Sequence, residues 1–480
     1  MALIPARPDR HPAPATISAA VQDLSAKLAA LTTRPWTLME VCGGQTHAIV
    51  RWGLDQLLPP GLRLIHGPGC PICVTPIAKL DAAHELARRP GLILCSYGDM
   101  LRVPGSGGAS LLTLRSAGAD VRLVTAPLQA LEIARAHPER QVVFLAVGFE
   151  TTAPATALLA RRALALGLPN LSLLTAHVRV APAMDSLLEP DSPAATPEAT
   201  PALAPAVQGF LAAGHVCTVI GTEELHQLVA RRRLPVVVTG FEPLDLLRGL
   251  LTCVRLLEAG TPRLVNAYRR VVREAGNPQA RALLAEVFEP VDQSWRGLGL
   301  IRAGGLALRP PYNALEAERR FPLLPELLLS QAQLPLHQLA EAQLSQHQLA
   351  QAQRPEPQRA EMEPSPCTSC VGAPAAFANS LISPAVATPP AVVAPVDEPC
   401  IAAAILRGRA LPTDCPHFGG RCTPEQPLGA PMVSSEGACA AYQRYRPRPA
   451  PAALTVSAEL EAPAALAVPP SLAASRRAEP

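Results

Sequence analysis

From Arg34 onward, short runs of consecutive apolar residues alternate with segments of helical spacing such as Ile77–Ala87 and Thr152–Leu166. Eight of the apolar runs have the length and composition of buried strands. They are Thr37–Val41, Leu62–Ile65, Leu92–Cys95, Val121–Thr125, Val142–Val147, Leu171–Thr175, Val216–Ile220 and Val236–Thr239. Continuous apolar strands separated by helices are typical of parallel sheets that are covered on both faces. The pattern therefore predicts an α/β fold with two parallel-sheet α/β domains that face a cleft.

Shifts in composition, above all in proline and glutamine, divide the chain further. Residues 322–398 carry three ten-residue repeats, a period that fits neither a coiled coil nor a common solenoid. The predicted segments are an N-terminal extension (1–34), a first α/β domain that holds a thiol site (35–118), a second α/β domain (119–289) with a Pro/Ala-rich insertion (187–206), a return segment to the α/β core (290–321), a low-complexity linker (322–398), a small cysteine-rich domain (399–446) and a disordered tail (447–480).

Composition narrows the choice of partner and compartment. The 480 residues include 42 basic and 39 acidic side chains, and only 3% are aromatic, so no basic stripe indicates binding to nucleic acid. Every apolar run is interrupted before it reaches membrane-spanning length, and the N-terminus lacks the apolar centre of a secretory signal. We therefore expect a cytoplasmic protein with no membrane partner. In that compartment, twelve cysteines favour metal or redox chemistry over structural disulfides.

Three thiols follow predicted strands in the stretch from residue 39 to residue 76. Cys42 stands in a Cys-Gly-Gly-Gln-Thr-His turn beside Thr46 and His47, and Cys70 and Cys73 stand in Gly-Pro-Gly-Cys-Pro-Ile-Cys. A strand end next to a Gly/Pro turn and a helix start favours an accessible sulfur with a lowered pKa. The C-x2-C pair can close a disulfide or share a metal, although two cysteines that merely pack in a tight turn are the alternative.

Four more cysteines lie in the small segment near the C-terminus, with the spacing C-x14-C-x6-C-x16-C: Cys400, Cys415, Cys422 and Cys439. So short a segment buries little apolar surface, and a bound metal would supply the missing folding free energy. An iron–sulfur cluster is favoured over zinc because the paired C-x2-C knuckles of zinc sites are absent among these four. Cys367 and Cys370 do have that spacing but are interpreted as incidental linker cysteines. Cys95, Cys217 and Cys253 are predicted to be core residues.

Other polar clusters are expected where the carboxyl ends of parallel strands form a crevice. They include Gly214-His215 and Gly240-Phe241. Asp99, Glu150 and His177 are candidate acids, bases or thiol-activating groups there, with helix caps and loop hydrogen bonds as the alternative for each. The glycines at 105–108 lack the Gly-Lys-Ser/Thr of a phosphate loop, so a nucleotide site has little support.

Several stretches, in this order, resemble the HypD family of NiFe-hydrogenase maturation proteins over about residues 36–320 and 400–446. They are MEVCGGQTHAI, IHGPGCPICVTP, YGDMLRVPG, VGFETTAP, GFEPLDLL, SWRGLG and DCPHFGGRCTPEQPLG with MVSSEGACAAY. The resemblance implies a cytoplasmic scaffold of two α/β domains and a small iron–sulfur domain, rather than a conventional turnover enzyme. With a small HypC-type chaperone it would hold an iron on which two cyanides and one carbon monoxide are assembled. A HypE-type protein would deliver the cyanide.

Carried over by motif position, Cys42 would be the iron-binding thiol, shared with the chaperone, and Cys70 with Cys73 would be the redox pair. A 4Fe-4S cluster on the four C-terminal cysteines would supply electrons. His47, Asp99, Glu150 and His177 would line the cleft.

One departure concerns the last domain, where many family members have a second cysteine at the position of Ala402. The fourth cluster ligand is therefore open between Cys400 and the linker residues Cys367 and Cys370. Two other functions remain open at this point. One is an iron–sulfur-dependent thiol-disulfide oxidoreductase that acts on a protein substrate, and the other is a structural zinc domain on a nucleotide-binding α/β protein.

Overall fold

The computed structural model describes residues 14–189, 207–322 and 400–446. The predicted linker with Cys367 and Cys370, the predicted tail and most of the predicted insertion lie outside these residues. Among the described residues, no helix has both the length and the apolar character needed to span a bilayer.

Eleven strands are present in the described part of the chain, and they form two sheets. The strands are β1 (Trp36–Glu40), β2 (Leu62–His66), β3 (Leu92–Ser96), β4 (Val121–Leu123), β5 (Gln141–Gly148), β6 (Leu171–Val178), β7 (Gly209–Ala213), β8 (Val236–Thr239), β9 (Leu264–Asn266), β10 (Phe288–Trp295) and β11 (Gly299–Leu308). The first sheet has the order β2-β1-β7-β8-β9 and is parallel throughout. The second has the order β10-β11-β6-β5-β3-β4, with antiparallel pairing only at β10 and β11. The predicted α/β class with mainly parallel sheets is confirmed.

The helices lie between and over these strands. They are α1 (Pro14–Leu31), α2 (Gly43–Trp52), α3 (Pro71–Val74), α4 (Ile77–Ala87), α5 (Leu111–Ser116), α6 (Leu128–Ala136), α7 (Ala153–Ala165), α8 (Val180–Ser186), α9 (Gly214–Ile220), α10 (Glu223–Arg232), α11 (Pro243–Glu258), α12 (Pro278–Val287) and α13 (Ala317–Arg320). Short 3-10 turns occur at Leu54–Leu57, Asp99–Arg102 and Tyr312–Leu315.

The first sheet shows why continuous apolar runs were a good signal. All five residues of β1 are buried, and successive side chains enter different apolar clusters. Met39 packs in the cluster that holds the cysteine loops, whereas Leu38 packs against α1 and α11. Because both faces are covered, neither face needs polar side chains. The cysteines predicted to be core residues, Cys95, Cys217 and Cys253, are buried as well.

One predicted strand is wrong. Residues Val216–Ile220 belong to α9, and the strand of this region is β7 just before it. The β-branched run favoured a strand locally, but β7 fits between β1 and β8 and completes the first sheet. Within α9, the Thr218 hydroxyl donates a hydrogen bond of 2.9 Å to the Gly214 carbonyl. Sheet pairing therefore overrides residue preference here.

The boundary predicted between the first and second α/β domains, at residues 118 and 119, is not a boundary between the two sheets. β3 pairs with β4 and β5 in the second sheet, whereas β7 and β8 join β1 in the first. The chain therefore leaves the first sheet after β2, builds much of the second and then returns. Gly118, with φ of 99°, lies in the turn between α5 and β4. The glycine marks a turn and not a change of sheet.

Residues 400–446, the C-terminal segment, form a compact unit of short helices: Ala402–Leu406, Ala430–Val433 and Ala438–Tyr445, with a 3-10 turn at Pro412–Asp414. The segment contacts connections that belong to both sheets. Arg446 makes a bidentate ion pair with Asp55 at 2.5 Å, and Arg102 donates a hydrogen bond of 2.7 Å to the Val433 carbonyl. It thus covers the loops that follow β1 and β3.

Candidate functional site

Cys42 lies at the carboxyl end of β1, in the extended residue immediately before α2. Only 1% of it is exposed, because the loop that follows β2 passes directly over it. The Gly43 amide donates a hydrogen bond of 2.9 Å to the Gly69 carbonyl, and a Cβ atom on Gly69 would stand 2.4–2.6 Å from backbone atoms of Cys42. Glycine at position 69 therefore lets the loop of Cys70 contact the loop of Cys42.

Cys70 and Cys73 follow this contact and form a disulfide bond. Cys70 caps α3, since its sulfur accepts a hydrogen bond of 3.1 Å from the Cys73 amide. Both cysteines are buried and share one apolar cluster with Cys42. The loops of all three thiols thus adjoin in the folded chain.

The burial of these sulfurs contradicts the expectation of accessible thiols with lowered pKa values. Burial raises the pKa of the Cys42 thiol, against the opposing effect of the Gln45 amide. The strand-end position is as predicted, but the C-terminal segment covers it: a Cβ atom on Gly43 would stand 2.4 Å from the Glu436 carbonyl oxygen. A buried neutral thiol is a weak nucleophile, whereas a metal that binds it favours the deprotonated form. The arrangement suits a metal ligand better than a free nucleophile.

Glu40, at the end of β1, connects the Cys42 loop to the C-terminal segment. Its fully buried carboxylate accepts hydrogen bonds from the Cys42 amide (2.8 Å), the Thr46 hydroxyl and His66 Nδ1 (2.7 Å). The other ring nitrogen of His66 lies 3.0 Å from the Tyr442 hydroxyl. Donors from β2, α2 and the Cys42 loop therefore satisfy one buried carboxylate. The chain of hydrogen bonds runs from the Cys42 backbone to the last described helix.

His215 provides a second possible ligand atom beside the sulfur of Cys42. Its Nδ1 atom stands 3.5 Å from the Cys42 sulfur, and its ring packs against Phe241 with centroids 5.4 Å apart. Burial lowers the pKa of His215, which favours the neutral ring. The sequence contained the signal, a polar Gly214-His215 pair. This pair was expected at the crevice, but His215 itself was not among the predicted site residues.

His47 and Asp99 both hold the C-terminal segment. His47 packs edge-on against Tyr445, with ring centroids 5.6 Å apart. Asp99 Oδ2 accepts hydrogen bonds from the amide and the hydroxyl of Ser435, at 2.8 and 3.0 Å. Within the described residues, the buried Nε2 atom of His47 has no hydrogen-bond partner. His47 and Asp99 therefore hold residues 435–445 against the loops that follow β1 and β3.

His177 lies in β6 of the second sheet and is fully buried. Its Nδ1 atom donates to the Gly148 carbonyl at 3.2 Å, and its Nε2 atom accepts from the Thr156 hydroxyl at 3.0 Å. Burial lowers its pKa to about 4. With both ring nitrogens satisfied, the ring has the contacts of a structural core histidine.

Glu150 follows β5 and lines a cavity of about 1030 Å³, whose walls also include residues of α8, α10 and β11. One carboxyl oxygen accepts a hydrogen bond of 3.0 Å from the Val180 amide. The other is buried and has no partner among the described residues. Burial raises the pKa of Glu150 to about 7, with a further contribution from Glu224. None of the hydrogen bonds made by Glu150 or His177 in the described ranges joins them to the thiol loops.

The four cysteines of the C-terminal segment surround one small cavity, whose other walls include Ile405, Phe418 and Met432. Burial raises the pKa of Cys439, and the three neighbouring thiols raise it further. The Leu428 amide donates a hydrogen bond of 3.4 Å to the Cys422 sulfur. Cys400 is one of the wall residues, so position 400 can supply the fourth thiol.

This donor set fits an iron–sulfur cluster better than a single ion. No set of three or more His, Cys, Asp or Glu side chains within residues 14–189, 207–322 and 400–446 is close enough to hold one metal ion. The sulfurs that ligate a four-iron cluster stand farther apart, because each binds a different iron. Four thiols around an apolar cavity, with a backbone donor to one sulfur, are suited to that arrangement.

Comparison with known proteins identifies one family. The family model described as "HypD: Hydrogenase formation hypA family" matches residues 16–340 and 385–446. The hydrogenase maturation factor HypD of Azotobacter vinelandii is 41% identical over 430 residues, which cover 89% of this chain and 94% of that protein. The HypD proteins of Rhizobium leguminosarum bv. viciae and Escherichia coli (strain K12) are 40% and 37% identical, over 88% and 91% of this chain and 92% and 97% of theirs.

Proposed function

This chain belongs to the HypD family of hydrogenase maturation factors, and from that premise we propose that it is a scaffold for assembly of the Fe(CN)2CO unit of a NiFe-hydrogenase. The observation that carries the proposal is the contact at Gly69, where the Cys42 loop meets the loop of the Cys70–Cys73 disulfide. The proposed ligand thiol and the proposed two-electron couple lie on adjoining loops there. Three of the four C-terminal thiols, Cys415, Cys422 and Cys439, share an apolar cluster with Val50 of α2, the helix that follows Cys42.

Cys42 is the proposed iron ligand, shared with a small HypC-type chaperone. A thiolate is a soft ligand and suits iron that carries strong-field ligands such as cyanide and carbon monoxide. His215, at 3.5 Å, is placed to take the thiol proton as iron binds or to contribute a nitrogen ligand. The iron and its diatomic ligands are cargo that leaves for the hydrogenase. A HypE-type protein is the proposed source of cyanide, and the cytoplasm is the proposed compartment.

Cys70 and Cys73 are the proposed redox pair. Reduction of their disulfide takes up two electrons and two protons and yields two thiols. Cys400, Cys415, Cys422 and Cys439 would hold a 4Fe-4S cluster, which would supply electrons to the disulfide one at a time. Beside that group, this chain contributes the Leu428 amide as a donor to sulfur and an apolar wall that limits access of water.

Burial of the disulfide favours the scaffold over the alternative oxidoreductase. Only 3% of Cys70 and 2% of Cys73 are exposed. Exchange with a protein substrate requires that an incoming thiolate reach one of the two sulfurs in line with the disulfide bond. A buried pair next to an internal ligand thiol is better placed to serve cargo held inside the molecule.

Infrared spectroscopy on the anaerobically purified complex with a small acceptor protein tests the proposal. We expect cyanide and carbonyl stretching bands of iron-bound ligands. Cys42→Ala should abolish the bands while the protein stays folded, because the substitution removes the ligand and costs only on the order of 1 kcal/mol. The matched control is Cys253→Ala, which removes another buried thiol, one that lies in the apolar cluster of Leu38 and Leu211. Steady disulfide turnover without such bands would support the oxidoreductase instead.

A further inference from the structure

The turn between β10 and β11 contacts the helix of the disulfide. Trp295 is almost fully buried and packs against Phe149, with ring centroids 6.1 Å apart, in the apolar cluster of Cys70 and Cys73. The next amide, that of Arg296, donates a hydrogen bond of 2.8 Å to the carbonyl of Val74. The turn is thus fixed to the residue that follows Cys73.

The same turn contacts the C-terminal segment close to Cys400. Arg407 donates hydrogen bonds to the carbonyls of Gly297 and Leu298, at 3.1 and 3.3 Å. A Cβ atom on Gly297 would stand 3.1 Å from the Cα atom of Ala403, and the φ of 83° at this position also favours glycine. Residues 295–299 therefore bridge the disulfide and the four-cysteine site.

The side chain of Arg296 is the charged group on this bridge. Its Nη1 atom is buried and has no hydrogen-bond partner in the described part of the chain. Burial lowers the pKa of Arg296, and the charges of Cys400 and Asp81 oppose that effect. A buried guanidinium donor without an acceptor is costly in a folded protein. An anionic group bound by Cys400 and its neighbours would offset that cost.

We propose that the Arg296 guanidinium stabilises the reduced state of an iron–sulfur cluster on the four cysteines and so raises the midpoint potential of that cluster. The inference rests on the proposed function, because it requires the cluster. Reduction adds one negative charge in surroundings of low polarity, where a fixed positive charge has a larger effect than in water. Hydrogen bonds to sulfur and net charge are among the features that set the potentials of such clusters.

A redox titration of the full chain, followed by electron paramagnetic resonance, tests the inference. Arg296→Gln should lower the ratio of reduced to oxidised cluster at a fixed potential about tenfold, which for a one-electron couple is about 59 mV. Arg296→Lys, which keeps the charge, should restore most of the difference. The control is Arg302→Gln, which removes an exposed arginine of the same hairpin and should leave the potential unchanged.

An unchanged potential in Arg296→Gln, or equal shifts in Arg296→Gln and Arg296→Lys, would overturn the inference. If Arg296→Gln loses the cluster, the lysine variant decides: a retained cluster at the wild-type potential supports a role for charge, and loss in both contradicts it. The proposed function fails separately, and visibly, if the unmodified chain binds no iron and sulfide in the first place.

Discussion

Two buried glutamates, one at the end of a strand in each sheet, have opposite surroundings. Glu40 is the last residue of β1 in the first sheet and accepts three hydrogen bonds, from Cys42, Thr46 and His66. Glu150 follows β5 of the second sheet, accepts one bond from the Val180 amide and leaves its other oxygen without a partner in the described ranges. Both are at most 3% exposed.

The difference comes from what covers each strand end. The C-terminal segment closes over the first sheet, where Tyr442 completes the hydrogen bonds of His66 and Glu436 contacts Gly43. Over Glu150 the structure has an open cavity instead. A buried carboxylate whose oxygens accept hydrogen bonds holds its loop in place. Burial without such partners raises the pKa of a carboxyl group. The surroundings of Glu40 and those of Glu150 should therefore respond differently to loss of the C-terminal segment and to pH.

Removal of a proposed cluster ligand should have the largest effect on this comparison. Cys415→Ser weakens metal binding, and on the order of 10 kcal/mol of binding free energy would no longer support the fold of residues 400–446. We expect rapid hydrogen exchange in that segment and faster alkylation of Cys42, measured by mass spectrometry. The amides of β5 and α8 should keep their protection and serve as the internal control. Unaltered exchange in residues 400–446 would contradict a fold that depends on metal.

The strands were predictable because burial on both faces leaves a continuous apolar run in the sequence. Leu92–Cys95 lies within β3 and Val142–Val147 within β5. The positions of Cys42 and Cys70 after strands followed from the same pattern. Val216–Ile220 was predicted wrongly because its β-branched residues resemble a strand, while the glycine and alanines of β7 do not.

The cover over the site was not predictable from local patterns. His66 and Tyr442 are 376 positions apart in the sequence, and no periodicity links them. The same distance explains why the thiols were expected to be exposed: the Gly/Pro turn is a local signal, whereas Glu436 arrives from the far end of the chain. Interleaving of the two sheets is likewise a property of pairing and not of composition.

The second prediction concerns how the carboxyl group of Glu150 makes the free energy of unfolding depend on pH. The pKa of Glu150 is about 7 in the folded protein and about 4.3 in an unfolded chain. Between these values the folded state binds more protons, so the free energy of unfolding decreases as pH rises. Above about pH 8 the loss in the free energy of unfolding approaches an upper limit of roughly 4 kcal/mol. Glu150→Gln should therefore be more stable than wild type at about pH 8 and nearly equal at about pH 5.

Urea unfolding at the two pH values measures this difference. The charged groups that act on Glu150 are Glu224 and Arg179. Arg179 is paired with Glu224 at 2.5 Å, and since Glu150→Gln leaves both partners in place, the contrast isolates the carboxyl group of Glu150. If the free energy of unfolding changes equally with pH in wild type and in Glu150→Gln, water in the cavity hydrates this carboxyl group and its pKa is not raised.

The prediction with the smallest expected effect removes a single hydrogen bond near Glu40, the one between His66 and Tyr442. Tyr442→Phe removes the hydroxyl and leaves Nε2 of the buried His66 without its partner, which should cost about 1–3 kcal/mol. Tyr445→Phe is the matched control, since this tyrosine lies on the same helix and contacts His47 through its ring; it should cost less than about 0.5 kcal/mol. Because His66 transmits the loss to Glu40 and so to the Cys42 amide, Tyr442→Phe should also speed alkylation of Cys42. Equal alkylation rates in the two variants would mean that Gly69, and not the C-terminal helix, holds the Cys42 loop in place.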